Sequence, residues 1–232
     1  MMPTSTISIS PLREEDIPGA VDAIQEAFAE DPYNLWVYND RSKLNLNRNR
    51  VSLGIRCRWG IRNALFYVAK DLVSDEKDKV LGIAMWIPPR QTKLKKTWGE
   101  WLEGWKLWCQ QVGMNVWYGR GGLNVKRYYI WKQRQAEAQS EIWTDPKGYY
   151  FCNVIVVLPE AQGKGIGRAL FREVTQKADA EGRRCYLESS RDEPNTKIYE
   201  AMGFHFVKQM DCDDGGDVCQ LYCMVREPQS PL

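Results

Sequence analysis

The sequence predicts one α/β domain, on three observations. Strand-like and helix-like patterns are interspersed along the whole chain, two pairs of strands lie close enough in sequence to form hairpins, and a glycine-rich loop joins an apolar strand to an amphipathic helix. A long Trp-rich helical stretch, about residues 92–144, reads as an insertion between strands inside the single domain 1–232.

The elements follow in order. Ile7 and Ile9 alternate with Ser in a short strand that Pro11 closes. Residues 13–30 predict a helix, with Ile17, Ala20, Val21, Ile24, Ala27 and Phe28 at three- and four-residue spacing and Pro18 in the first turn; Asp31-Pro32 ends it. Residues 44–63 predict a second helix. Leu65–Ala69 and Val80–Ile87 flank the charged turn Ser74–Lys79, the pattern of an antiparallel hairpin. Trp98, Trp101, Trp105 and Trp108 form a helical stripe, Gly119–Gly122 interrupts, and residues 125–142 predict a further helix. Tyr149–Leu158 is a strand expected to be buried on both faces near its end, and residues 168–181 a helix with Gly182 at its C-terminal cap. Cys185–Glu188 is the next strand and Asn195–Met202 a short helix. His205–Met210 and Gln220–Arg226 pair across a polar loop, Asp211–Asp217, and the tail 227–232 is expected to fray.

Bulk properties narrow the function classes. A chain of 232 residues can bury one sizeable core. Its net charge of +2, with neither half strongly basic, gives no reason to expect nucleic acid as a partner. No apolar run approaches the ~20 residues of a spanning helix, so a membrane is not an expected partner either. Seven Cys, an odd number, with no signal peptide and no Asn-x-Ser/Thr sequon, point to a reducing, cytoplasmic setting. Cys212, Cys219 and Cys223 invite a zinc reading, but CxxC is absent and His205 is the only His, so no metal is expected.

The informative segment runs Leu158-Pro-Glu-Ala-Gln-Gly-Lys-Gly-Ile-Gly-Arg168. Glycines at 163, 165 and 167 leave backbone amides uncovered at a helix start, where the helix dipole is positive; this makes an anion site, with Lys164 and Arg168 at its rim. The spacing excludes a P-loop, since Lys164 is followed by Gly165. A dinucleotide fingerprint would need a third glycine at Arg168 or Leu170, and would stand near the start of its domain.

Gln162-x-x-Gly165-x-Gly167 resembles the Gln/Arg-x-x-Gly-x-Gly/Ala signature of the GCN5-related N-acetyltransferase (GNAT) superfamily, as do the flanking Val157-Leu-Pro-Glu and Arg168-Ala-Leu. Downstream, Asn195-x3-Tyr199-Glu-x-x-Gly203-Phe204 extends the resemblance, sharp over about residues 151–204; the Asn-x3-Tyr spacing resembles the puromycin-acetyltransferase-like subgroup. The resemblance implies an α/β (α+β) GNAT fold: a mixed, mostly antiparallel central sheet whose fourth and fifth strands splay apart, flanked by helices. It also implies acetyl-CoA as co-substrate. The backbone of Ile155, Val156 and Val157 would pair with the pantetheine arm. Amides of Gln162, Gly163, Lys164, Gly165, Ile166, Gly167 and Arg168 would hold the pyrophosphate. Asn195 would bond the cofactor arm, and Tyr199 would protonate the departing thiolate, a task for which a phenol with a pKa near 10 is suited. Residues 195 and 199 share a helix face. Each also has a plainer reading: Asn195 as a helix N-cap, Tyr199 as a core residue with its hydroxyl satisfied.

The acceptor side is less legible. No fixed general base comes with the resemblance; Glu188, at the end of the strand beside the glycine-loop strand, is the candidate, with Glu30 and Asp31 behind it. Cys152 and Asn153 would line the cleft between the splayed strands, Cys152 without acting as a nucleophile. The Trp98–Trp108 stripe is expected to be core for the inserted helix, with a pocket wall or a homodimer interface as alternatives. Tyr33, Trp36 and Tyr38 suggest an aromatic-lined site for a small-molecule amine. The expected function is therefore N-acetylation of such an amine; the alternatives are a protein or peptide N-acetyltransferase and a degenerate acyl-CoA sensor.

Overall fold

The computed structural model describes residues 7–72, 79–90 and 97–229. Its strands are β1 (Ile7–Pro11), β2 (Leu65–Asp71), β3 (Val80–Ile87), β4 (Tyr149–Val157), β5 (Arg184–Ser189), β6 (His205–Asp214) and β7 (Asp217–Arg226). They form one sheet in the order β1-β2-β3-β4-β5-β7-β6. Every neighbouring pair is antiparallel except β4 with β5. The helices are α1 (Ile17–Ala27), α2 (Pro32–Val37), α3 (Leu46–Asn63), α4 (Trp98–Tyr118), α5 (Val125–Ile142), α6 (Ile166–Ala180) and α7 (Asn195–Glu200).

Alternation along β4 assigns the two sheet faces. The Tyr150 hydroxyl donates to Glu181 just past α6 (2.8 Å), whereas Tyr149 and Phe151 pack on Trp143 just past α5. On the first face Ile166, Leu170, Val174 and Ala178 recur at four-residue spacing and bury α6 against the sheet. There Arg226, 4% exposed, forks onto Asp179 of α6 (2.7 and 2.8 Å) and donates to the Met202 carbonyl (3.2 Å). On the other face Trp36, Tyr186, Ala138 and the inward residues of β6 and β7 make a second cluster under α5.

Several expectations change. The helix of residues 13–30 is shorter, because Asp31 starts a new one: its carboxylate accepts the Asn34 amide (3.1 Å) and Pro32 takes the first turn of α2. The polar stretch 211–217 is mostly strand; β6 and β7 continue to a tight turn at Gly215 and Gly216, both at positive φ. Its polar residues are the outer half of an alternation whose inner half is Met210, Cys212, Cys219 and Leu221, all buried. Burial along β4 differs from the expectation: Tyr149–Cys152 at its start are buried, Asn153 is exposed, and toward the end only Val156 is buried, with Val154, Ile155 and Val157 half-buried. The Trp stripe is not core: Trp98, Trp101, Trp105 and Trp108 are 80, 46, 48 and 57% exposed. The tail is held as far as Gln229, whose amide donates to Asp179 (2.7 Å), and Glu227 pairs with Arg184. The turn expected at Ser74–Lys79, apart from Lys79, and residues 92–96 and 230–232 lie outside the described residues.

Candidate active site

β4 is the spine of the site. It pairs with β3 from Phe151 to Val157, but with β5 only from Tyr149 to Cys152, the last partners being Cys152 and Leu187. Beyond that point the strands part, and the Asn153–Val157 edge facing β5 has no strand partner. Such an edge can hydrogen-bond an extended ligand as an added strand. At the parting point the register with β3 passes from Val154 to Cys152, so Asn153 is a bulge residue with an exposed side chain. The sequence carried no sign of this bulge.

The glycine loop follows β4 directly. The Gln162 side chain donates back to the Val157 carbonyl (3.3 Å), so it braces the loop. Gly163 and Gly165 sit at φ +75 and +78, and a Cβ there would meet nothing within 4 Å. Glycine is needed for the dihedral, and the space above the loop is open. Gly165 occupies the N-cap position of α6 with no side-chain cap, so the first-turn amides of Ile166, Gly167 and Arg168 are uncovered. Ile166 itself is buried and anchors the turn. Lys164 and Arg168 are exposed at the rim and make no ion pair with a described residue.

α7 carries the remaining residues expected on the donor side, Asn195 and Tyr199. Asn195 is its first residue but not its cap, which corrects that reading: the N-cap position is Pro194, and the Asn195 amide donates to Ser189 Oγ (3.2 Å) at the end of β5. Its carbonyl oxygen stays open to a ligand. The Tyr199 ring packs on Phe171 (5.7 Å) and Phe204 (6.4 Å), yet its hydroxyl makes no hydrogen bond to a described residue. Burial raises the Tyr199 pKa well above that of a free phenol, with Cys152 and Asp31 adding to the effect. Tyr199 therefore stays protonated through the neutral range. Cys152 is buried and its pKa too is pushed well up by desolvation, so the thiol is protonated and a poor nucleophile.

Glu188 lies one residue beyond the last β4–β5 pair, on the α5 face. Its carboxylate accepts Gln135 Nε2 (2.7 Å), Gln139 Nε2 (3.2 Å) and Tyr186 OH (3.0 Å). Desolvation nevertheless raises its pKa, against the pull of those three donors and of Lys132. Asp31 is buried and accepts Ser190 Oγ, linking α2 to the segment after β5. Glu30, by contrast, presents its backbone carbonyl to Arg191. Beside Ser190 opens a groove of about 710 Å³, lined among others by Pro32, Trp36, Arg127, Asp217 and Tyr222. Arg127 shapes it, reaching Asp214 (2.8 Å), Asp217 (2.7 Å) and the Trp36 carbonyl (3.0 Å). Neither Arg127 nor Ser190 stood out in the sequence; an Arg in the first turn of a helix carries no signal until the β6–β7 turn folds against it. Of the expected aromatics, Trp36 lines this groove, Tyr33 packs at a tilt against Trp131 (5.1 Å) and Tyr38 is buried. No residue of the Trp98–Trp108 stripe lines it. Among the described residues no group of three or more His, Cys, Asp or Glu is arranged to hold a metal ion.

A parallel pair that splays at a bulge, followed by a glycine loop and an uncapped helix, defines the class: the architecture is the GNAT fold. Residues 126–206, from α5 to the start of β6, match the family model described as an acetyltransferase (GNAT) domain. Among solved structures, the chain is similar to the histone acetyltransferase HPA2 and related acetyltransferase from Corynebacterium glutamicum, at 17% identity and TM-score 0.59, over 98% of this chain and 99% of that one. It is also similar to arylalkylamine N-acetyltransferase 2 from Aedes aegypti (12%, TM-score 0.58, 97% and 100% covered). Arabidopsis thaliana NAA60 in complex with a bisubstrate analogue is a third (12%, TM-score 0.53, 96% and 98% covered). No curated protein matches the sequence.

Proposed function

We propose that this chain is an acetyl-CoA-dependent N-acetyltransferase acting on a small-molecule amine by direct attack in a ternary complex. The observation that carries this reading is the coincidence of three features at one place: the unpaired edge of β4, the uncapped glycine-loop helix and the unpartnered Tyr199 hydroxyl. The edge at Ile155, Val156 and Val157 suits the amide-bearing pantetheine arm, and the amides of residues 162–168 suit a pyrophosphate. Asn195 offers its carbonyl to the same arm.

The amine nitrogen attacks the thioester carbonyl, and CoA departs as a thiolate. Tyr199 donates its proton to that sulfur. Before attack Glu188, a carboxylate with a raised pKa at the parting point, takes a proton from the acceptor ammonium, directly or through water, and the proton shed by the acetylated nitrogen replaces the one that Tyr199 gives to the sulfur. Trp36 and the groove beside Ser190 receive the acceptor. A volume of about 710 Å³ falls within the range of small-molecule sites. The puromycin-acetyltransferase-like reading of Asn195 and Tyr199 and a cytoplasmic setting belong to the same proposal.

Calorimetric titration with acetyl-CoA tests the donor: absence of binding at micromolar concentration ends the reading. Release of free CoA with a panel of arylalkylamines, polyamines, amino sugars and N-terminal peptides then separates small-molecule from peptide acetylation. Binding without turnover on any of them would favour a sensor.

A further inference from the structure

The outward face of α4 has no role in the proposed acetyl transfer. Its inward face buries Met114 and is otherwise held by polar contacts: Glu103 accepts Arg62 Nε (3.2 Å), Gln111 accepts Ser52 Oγ (3.2 Å) and Asn115 accepts Arg48 Nη2 (2.7 Å), all from α3. These contacts fix the rotation of the helix over three turns. The opposite face carries Trp98, Trp101, Leu102, Trp105 and Trp108, between 46 and 80% exposed. Successive indoles touch at 5.6, 5.7 and 5.3 Å, forming a continuous ladder. Toward the helix end Val116 and Trp117 are 81 and 82% exposed. A surface helix of a globular protein normally has the reverse arrangement. The four indoles of the ladder alone expose on the order of 500 Å², at the limit of what a monomer leaves bare.

The charge around this face selects among occupants. Residues 46–63 and 97–120 hold seven Lys and Arg against Glu100 and Glu103 alone, in a chain whose net charge is +2. Arg62 is paired with Glu103, Arg50 with Asp22 of α1, and Arg48 is buried against Asn115, which leaves four of the seven. Arg56, Arg58, Lys106 and Arg120 are exposed and make no ion pair with a described residue. Indole rings with unpaired cations on the same helix, just past its end and on the helix beneath match an anionic lipid interface, where Trp lies at headgroup depth and Lys or Arg meet the negative surface. A two-fold pairing of this face would instead bring Lys106 and Arg120 of the two copies together, with Glu100 as the one acid of the helix besides Glu103.

We infer that α4 is an interfacial anchor, which docks the protein on anionic membranes through the Trp98–Trp108 ladder. This adds a membrane partner that the lack of a spanning helix does not address: among the described residues no helix is long and apolar enough to cross a bilayer. The docking is independent of the acetyl-transfer reading.

The test is co-sedimentation of the full chain with vesicles of phosphatidylcholine alone and of phosphatidylcholine with phosphatidylserine in about a 7:3 ratio. Expected are at least ~10-fold stronger partitioning onto the anionic vesicles, weakening as salt is raised, and a blue shift of Trp emission quenched by bromine-labelled lipid. Trp101→Ala/Trp105→Ala should lower the partitioning about tenfold, and Lys106→Glu should lower it on anionic vesicles only, with unchanged thermal unfolding. Failure to bind anionic vesicles overturns the inference, as does equal binding to both compositions or insensitivity to these substitutions. So does a dimer in sedimentation velocity that the double Trp variant dissociates, which would assign the face to a second copy.

Discussion

At Tyr199 and Glu188, burial sets the chemistry. Desolvation keeps the Tyr199 phenol protonated far above neutral pH, so in the proposed role a proton is in place when the thiolate departs, and the same desolvation raises the basicity of a thiolate released beside it. Tyr199→Phe should therefore lower kcat by about 10²-fold or more, while the acetyl-CoA dissociation constant from calorimetry stays unchanged. Glu188 is the complementary case, an acid whose pKa is raised by the same desolvation. As the proposed base it acts as the carboxylate, so kcat/KM should rise with pH through a value above the ordinary carboxylate range of about 4. Glu188→Gln should remove that rise and slow turnover at neutral pH. A pH–rate profile that keeps its acid limb in the Gln variant would assign the base elsewhere, Asp31 with its Ser190 contact being next in line.

At the scale of elements, the junction of β4 and α6 matters most. Gly165 ends a loop and caps a helix at φ +78, with no side chain of its own or of any neighbour over the first-turn amides. A Cβ would find space there but not the dihedral, which costs roughly 1–2 kcal/mol for a residue other than glycine. Gly165→Val should relax the loop, turn its amides out of convergence and raise the acetyl-CoA dissociation constant by about tenfold or more, as titration would show. The fold of α6, anchored by Ile166 and Leu170, should persist in circular dichroism.

Across the whole molecule, one buried ion pair joins the end of β7 to α6. Burial pushes the Asp179 carboxyl up, but the Arg226 fork and the Gln229 amide outweigh this and hold its pKa below the usual value. Its stabilisation is present above the unfolded carboxyl value of about 4 and disappears as pH falls through the lower folded value. Asp179→Asn leaves a buried guanidinium short of its counter-charge and should cost about 2 kcal/mol at neutral pH in denaturant unfolding, discounted for the partial exposure of Asp179. The difference from the parent protein should shrink toward pH 3.

Local patterns alone determined much of this protein. Period-two alternation placed β1, apolar runs on either side of a charged turn placed β2 and β3, three- and four-residue spacing placed α1 and α6 and spaced apolar residues α3, and the glycine spacing with Asn195 and Tyr199 carried the expectation of a donor site. These signals are legible because each is written in adjacent residues of one element. Tertiary structure decided the rest. The break between the helix expected at 13–30 and α2 depends on Asp31 capping a new turn, and the long β6–β7 hairpin on which half of an Asp/Cys alternation meets α5. The bulge at Asn153, the groove shaped by Arg127 and the Gln135 and Gln139 donors to Glu188 each join residues distant in sequence. The Trp stripe shows the division most clearly: its spacing revealed a helix with an apolar face, but a periodicity does not say toward what that face is turned. Contacts from α3 to Glu103, Gln111 and Asn115 settle it, because hydrogen-bond geometry holds the polar side of α4 against the protein and leaves the indoles outside.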